Sequence, residues 1–468
     1  MTSMAMESSD VARGDAESAD AAAPRAVLTT VTPNGWRPST ASVRHRRTSH
    51  GPTGRRSPLP RVAFVFEPRS FSAWALTEAA RSVCELVWVV DRSVPETDLM
   101  CALLCRTGEL VDVTGLAAAD AAAAIAAAAP AGIVALKDRR LAWTADIAAR
   151  LDLPFMDGGV AERLSDKLLQ RRALGDAGVP VPGFWPIPAS RDHGAWEALE
   201  REARFPAVLK PRRGEASHDT TLVDSFAQLR ARVAETPEPD GTFLLEEFLR
   251  GRPDAGGRGF ASYVSVETIV CRGRISHVAI TGRPPLAEPF RETGAIVPSA
   301  IGGADADAVL QMASAAIAAL RLSLGCVHTE LSLTADGPRV IEVNGRVGGI
   351  PTVIAAATGV DMLSVALRLA IGEEIVFSSL APTKAVAYRL CGYAPPESRR
   401  IVSVTGLEQW RTRANVTDAI LDHGPGDSID WRQGSDSRIF TVQGTASDHE
   451  ELRKIIADLH QNITIVSD

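Results

Sequence analysis

The chain is 468 residues long, 45% hydrophobic and 23% charged, with a formal net charge of −7. That length allows two to four domains, the composition excludes a fibrous or wholly disordered chain, and the charge gives no reason to expect nucleic acid as the main partner. Only five of the 50 basic residues are lysines: Lys137, Lys167, Lys210, Lys384 and Lys454. Codon bias toward Ala, Gly and Arg explains the ratio, and it makes each remaining lysine worth inspecting. Six cysteines do not make a disulfide framework, and Cys101 and Cys105 lack a second pair at zinc-site spacing. The apolar neighbours of Cys84, Cys271, Cys326 and Cys391 suit buried thiols in a reducing compartment. No run of 18 apolar residues is present, and a cytoplasmic location is expected.

Residues 1–60 are rich in Ala, Ser, Thr, Pro and Arg and lack hydrophobic periodicity, so they read as a disordered tail. Targeting or contact with a polyanion is the lesser alternative. Nine arginines against five acids give residues 1–61 a net +4, so the remaining chain carries −11. Order is expected from Arg61. Strands at 62–66, 85–90, 110–113, 132–136 and 153–156 alternate with helices at 71–83, over the Ala-rich run 121–129 and up to about 150. That alternation predicts a doubly wound parallel sheet over 61–157. Its first turn, Phe66-Glu67-Pro68-Arg69-Ser70, lacks the glycine fingerprint of a dinucleotide site. One helix is expected over 158–178, stopped by Gly178-Val179-Pro180-Val181-Pro182. A helix at 196–204, strands at 206–210 and 243–248, and a hairpin of 262–270 with 275–280 about Arg272-Gly273 follow. The alternation in 262–270 predicts a strand with one face in solvent. A helix at 304–324, strands at 327–333 and 339–343 and a helix at 360–371 complete a unit over 158–375. From 376 to 468 the pattern becomes a small α+β unit.

Glu330 and Glu342 lie on strands joined by the turn Asp336-Gly337-Pro338, so they can face one another. Asn344, two residues after Glu342, shares its face. Two carboxylates and an amide oxygen are hard ligands suited to Mg2+ bridging nucleotide phosphates. Arg346 follows and can hold a phosphoryl group through its planar fork. The plain alternative is an exposed acidic strand pair with a Gly-rich turn. Lys210 ends an apolar strand, where a compact cation reaches phosphates. Lys167 lies on a helix, where a surface lysine is the plainer reading. The loop after Lys210 offers backbone N–H groups from Gly214 to Ser217, although it is not a P-loop. Glu246, Glu247, Phe248 and Leu249 can present main-chain groups to an adenine ring.

Taken together, Lys167, Lys210, the run 246–249, His328-Thr329-Glu330 and Glu342-Val343-Asn344-Gly345-Arg346-Val347-Gly348-Gly349 resemble the ATP-grasp superfamily of carboxylate–amine ligases, over about 61–375. Within it the chain is most similar to the L-amino acid ligases, which join amino acids into dipeptides. The resemblance implies an ATP-grasp fold with an N-terminal Rossmann-like domain (61–157), an ATP-grasp domain (158–375) whose lid subdomain covers about 205–250, and a C-terminal α+β domain (376–468). It implies ATP and Mg2+ (or Mn2+) as cofactors. Lys167, Lys210 and Ser217 would contact phosphates, and Glu246 to Leu249 would hold adenine. Glu330, Glu342 and Asn344 would bind the metal, and Arg346 would stabilise an acyl phosphate and the tetrahedral intermediate. Glu292 would face the substrate amine, and Asp254 is the candidate for the ribose. The loop 214–219 departs from the family pattern by carrying Glu215 and Asp219 and fewer glycines. The expected partners are small-molecule carboxylate and amine substrates, with a homodimer as the default assembly and no role for membrane or nucleic acid. A biotin-carboxylase-like activity and a nucleotide-binding module without catalysis are the alternatives.

Overall fold

The first apolar run forms β1 (Arg61–Val65) and is followed by α1 (Ala73–Ala80), β2 (Glu85–Val90), α2 (Thr97–Leu104), β3 (Glu109–Asp112), α3 (Ala118–Ala127), β4 (Gly132–Ala135) and α4 (Asp138–Leu151). The structure, a computed structural model, describes residues 58–189, 192–235 and 242–468. Nearly all of the expected N-terminal tail, and residues 236–241 of the expected lid, lie outside the described residues. The four strands are parallel in the order β3-β2-β1-β4. Val62 and Phe64 pack with Leu76, Trp88 and Leu104 on one face. Ala63 and Val65 pack with Ala121, Ile125 and Leu141 on the other, so helices cover both sides. α2 has no counterpart among the expected elements because its Leu99 and Leu103 are exposed, which scrambles the apolar stripe. The strand expected at 153–156 does not form. Asp152 adopts a left-handed conformation that ends α4, Leu153 N–H bonds back to Ala148 O, and Pro154 follows.

The helix expected over 158–178 is two helices, α5 (Gly158–Ser165) and α6 (Lys167–Asp176). Asp166 between them is extended and accepts from the Leu168 and Leu169 N–H groups as N-cap. This break makes Lys167 the first residue of α6. β5 (Phe184–Pro186), α7 (His193–Glu202), β6 (Ala207–Pro211), β7 (Thr221–Val223), α8 (Phe226–Ala234) and β8 (Phe243–Glu247) follow, with an antiparallel sheet of order β5-β8-β6-β7. This sheet begins well before residue 205. β5 is only three residues long and contains Pro186, too short for a periodic signal.

β9 (Tyr263–Cys271), β10 (Arg274–Thr281), β11 (Gly294–Val297), α9 (Gly303–Ala319), β12 (Leu324–Thr334), β13 (Gly337–Asn344), α10 (Pro351–Thr358) and α11 (Met362–Ala370) come next. The central sheet is antiparallel, in the order β10-β9-β12-β13. Arg272 and Gly273 both have positive φ (51° and 76°), as a two-residue hairpin turn needs. β9 is buried on both faces rather than one, because α9 covers Val264, Val266 and Val270 on one face, while on the other Ile269 and Cys271 pack into the cluster of α11 and Ser265 and Glu267 turn into a network of charges.

β14 (Val386–Gly392), β15 (Ile401–Thr405), β16 (Val416–Leu421), β17 (Phe440–Ala446), α12 (His449–Asn462) and β18 (Thr464–Ser467) end the chain. Their main sheet has the order β11-β14-β17-β16, so it recruits β11 from before residue 376. Tyr388, Trp410 and Leu452 lie in the core of this region. Among the described residues no single helix is long and apolar enough to cross a membrane.

Candidate active site

β12 and β13 pair so that Glu330 lies opposite Glu342 and His328 opposite Asn344. Both glutamates line a cleft of about 800 Å3 between the sheet of β5–β8 and the central sheet. Glu330 is 3.3 Å from His328 Nε2. Burial alone would raise its pKa, but the His328 hydrogen bond and charge, with Arg283 behind, hold it down at about 2. Glu330 is therefore ionised at neutral pH. Burial likewise opposes charge on His328. Glu267, 2.9 Å from Nδ1, and Glu330 outweigh it and raise the imidazole to about 9. Asn344 is buried and its amide donates to His328 O at 3.4 Å.

Two lysines enter the same cleft. Lys167 Nζ is 3.0 Å from Glu342 and donates to Gly214 O at 2.7 Å. Burial penalises its charge, yet Glu342, Asp138 and Glu246 more than offset that and raise its pKa. Lys210 Nζ is 2.7 Å from Glu246. Here burial, helped by Arg171 and Lys167, outweighs Glu246 and lowers the pKa. The residues are only 8% and 6% exposed, so neither is a surface lysine. Arg171, one turn after Lys167 on α6, pairs with Glu246 at 2.9 Å and donates to Ile341 O. Glu246 thus joins α6, β6 and β8 through two cations.

On the opposite side of the cleft Glu292 accepts from Tyr263 OH at 2.9 Å and from Arg283 Nε at 3.1 Å. Arg283 also donates to Ser265 Oγ, and Ser265 donates to Glu267. An unbroken chain Glu292–Arg283–Ser265–Glu267–His328–Glu330 therefore runs under the cleft floor. A Cβ on Gly348 would lie 2.7 Å from both Glu267 Oε2 and His328 Nδ1, so the close approach of this ion pair demands glycine there. Gly349 has open space. Arg346 is held by Asp138 at the start of α4, with Nε and Nη2 each 3.0 Å from Oδ2.

Of the residues expected in the site, Lys167, Lys210, Ser217, Glu246, Glu247, Phe248, Leu249, Glu292, Glu330 and Glu342 line the one cleft. Asn344 is packed beside His328, and Arg346 sits on Asp138. Asp254 is not brought in: it is exposed, in a left-handed turn outside the cleft. Two expected hinge groups are engaged within the protein, since Glu247 N–H bonds to Gly183 O and Phe248 N–H to Pro206 O. The Glu246 side chain serves Lys210 and Arg171 rather than the cleft alone. The sequence assigns no role to Arg171, Arg283 or Asp138, and it marks Glu267 only as part of the run Tyr263-Val264-Ser265-Val266-Glu267, which resembles the L-amino acid ligases. Arg171 carried one signal, its i+4 spacing from Lys167.

The donor set fits a hard divalent cation. Two carboxylates stand in register beside a cleft lined by ammonium groups. Among the described residues no cluster of three His, Cys, Asp or Glu side chains is placed to hold a metal alone. Mg2+ needs no such cluster, because it takes its other ligands from phosphate and water.

Residues 164–350 match the model of the ATP-grasp domain, and ATP-grasp enzymes use ATP and Mg2+. An uncharacterised protein of Sinorhizobium fredii, y4rH, is 26% identical over 304 residues, 64% of this chain and 60% of that one. Carnosine synthase 1 of Gallus gallus is 30% identical over 207 residues, 40% of this chain and 21% of that one. The chain thus spans less than two thirds of these curated relatives. The crystal structure of L-amino acid ligase from Bacillus licheniformis superposes with a TM-score of 0.70 at 19% identity, covering 88% of this chain and all of that one. The mixed α/β architecture, with its parallel and antiparallel sheets, is that of the ATP-grasp fold, and residues 164–350 of the chain are similar in sequence to the ATP-grasp domain.

Proposed function

We propose that this protein is an ATP- and Mg2+-dependent ligase that forms an amide bond between an amino acid, or a similar carboxylate, and an amine, by way of an acyl phosphate. The observation that carries the reading is the placement of Lys167 and Lys210, both nearly buried, with the in-register pair Glu330 and Glu342 in one cleft. The cleft volume is of the size that encloses a small ligand. Adenine would rest on the hinge 246–249, with Leu249 N–H and the hinge carbonyls as the main-chain groups offered. Lys167, Lys210 and the loop 214–217 would face the phosphates. Glu330 and Glu342, with Asn344, would hold Mg2+, which supplies charge neutralisation at the phosphates.

A carboxylate is a poor acyl donor because it is anionic and lacks a leaving group. Its oxygen attacks the γ-phosphorus of ATP, a C–O–P linkage forms and ADP leaves. The amine then attacks the acyl carbon, the C–N bond forms, the C–O bond to phosphate breaks and the amine gives up a proton. Positioning and charge stabilisation dominate this chemistry. Arg346 would release Asp138 and take the acyl phosphate and the oxyanion, and Glu292, held by Tyr263 and Arg283, would orient the amine. Enclosure under the sheet of β5–β8 would keep water from the acyl phosphate.

The test is product analysis across pairs of amino acids. ADP and phosphate are expected only when a carboxylate and an amine are both present. AMP as product would overturn the reading, bicarbonate-dependent hydrolysis would favour a carboxylase, and ATP binding without turnover on any pair would favour a binding module.

A further inference from the structure

The loop that follows Lys210 is held from outside its own sheet. Ala216, Ser217 and Asp219 all have positive φ (55°, 58° and 47°). Three left-handed non-glycine residues in one short loop persist only where the surroundings over-determine them. Those surroundings come from two directions. Lys137, at the end of the parallel sheet, pairs with Glu215 at 2.8 Å. The turn 431–437, between β16 and β17, supplies the rest. Ser435 N–H donates to Ala216 O at 2.8 Å, and Asp219 N–H donates to Arg432 O at 2.9 Å. His218 Nε2 is 3.2 Å from Asp436. Gly434 adopts a conformation open only to glycine (φ 54°, ψ −129°). A Cβ there would lie 2.1 Å from Ala216 O and 2.6 Å from Ser217 C. The same turn reaches the other side of the cleft. Glu292 N–H donates to Ser435 Oγ at 3.3 Å, and Tyr393 OH donates to Glu292 O at 2.8 Å and Ser435 O at 3.4 Å.

We propose that the turn 431–437 is a latch that holds the loop 214–219 closed over the nucleotide cleft and, through Ser435, fixes that closure to the position of Glu292. The inference rests on the nucleotide reading of the cleft given above. Gly434, Ser435 and Asp436 are then positioning residues. None of the three lines the cleft, and they set the loop whose N–H groups would face the phosphates. One short turn couples order on the nucleotide side to the residue that would face the amine, so closure on ATP and readiness for the second substrate arise together.

The full chain tests this with two readouts. Binding of the Mg2+ complex of a non-hydrolysable ATP analogue is measured by calorimetry, and amide hydrogen exchange of 214–219 is measured without nucleotide. Gly434→Ala should weaken analogue binding about tenfold and speed exchange in the loop. Gly426→Ala, also at positive φ but with open space around it, should leave both at wild-type values. His218→Ala and Asp436→Ala should each weaken binding about two- to fivefold, and the double variant no more than either single. A folded Gly434→Ala protein with unchanged loop exchange and binding would overturn the latch. If Gly434→Ala does not fold, additive or absent effects in the His218 and Asp436 cycle would overturn it. Wild-type protein that fails to bind the analogue would refute the nucleotide reading instead, and loop exchange would still report on the latch.

Discussion

β1 and β9 are both central strands with almost no exposed residue, yet they are built oppositely. β1 buries Val62, Ala63, Phe64 and Val65 against apolar helices on both faces. β9 buries Val264, Val266, Thr268 and Val270 on one face and Ser265 and Glu267 at the positions between. Burial alone therefore does not distinguish them. What differs is how each polar group is satisfied. β1 needs no partners, whereas Glu267 survives burial only because His328, Ser265, Thr281 and the nearby Arg283 surround it. A charged residue in a fully buried strand is expensive unless paired, and here the pairing chain ends at the cleft on Glu330 and on Glu292. In this fold a polar alternation in a covered strand marks the floor of the site.

The largest expected effect breaks that chain. Glu267→Leu leaves His328 and its neighbours without their central counter-charge and should cost about 3–5 kcal/mol of stability, measured by denaturant unfolding. Ala63→Ser in β1 adds one hydroxyl with no ion network around it and should cost about 1–3 kcal/mol. Equal losses would erase the distinction between the strands. Next is Arg346→Ala, which should lower kcat about 10²–10³-fold while circular dichroism shows the fold intact; full activity would remove Arg346 from the site. Gly348→Ala should cost about 1–3 kcal/mol because its Cβ meets the Glu267–His328 pair, whereas Gly349→Ala should stay within about 0.5 kcal/mol. The smallest effect is a pH dependence. Burial would raise the Glu246 pKa, but Arg171 and Lys210 hold it below the ordinary 4.5. Its contribution to stability is complete above pH 4.5 and is lost as pH falls through the lowered native value. The Tm deficit of Glu246→Gln should accordingly shrink below pH 4.5, and a deficit independent of pH would contradict the ion-pair role.

Much of this site was readable from the sequence because its cleft-lining residues sit on regular elements with fixed periods. Glu330, Glu342 and Asn344 follow from strand alternation and a tight turn, and Lys210 from an apolar strand that ends in a cation. The fold was readable where apolar runs were long, as in β1, β2 and β4. It was not where elements are short or carry exposed leucines, as in β5 and α2, or where a single capping aspartate, Asp166, splits a helical pattern. The supporting residues escaped for a different reason. Arg283, Glu267 and Asp138 are distant in sequence from the groups they hold, and a buried charge looks in sequence like a solvated one. The mistaken solvent face of β9 is that ambiguity in a single element. Asp254, the expected ribose contact, lies on an exposed left-handed turn outside the cleft-lining residues.

The central claim is that a carboxylate is activated by phosphoryl transfer in the cleft of Lys167, Lys210, Glu330 and Glu342. It is tested most directly by turnover of an amino acid labelled with ¹⁸O in its carboxylate, together with an amine and ATP, followed by ³¹P NMR of the products. The account predicts that one labelled oxygen per turnover appears in the released phosphate, because the acyl C–O bond breaks when the amine attacks. Amide formation with label in AMP, or with none in phosphate, would contradict it.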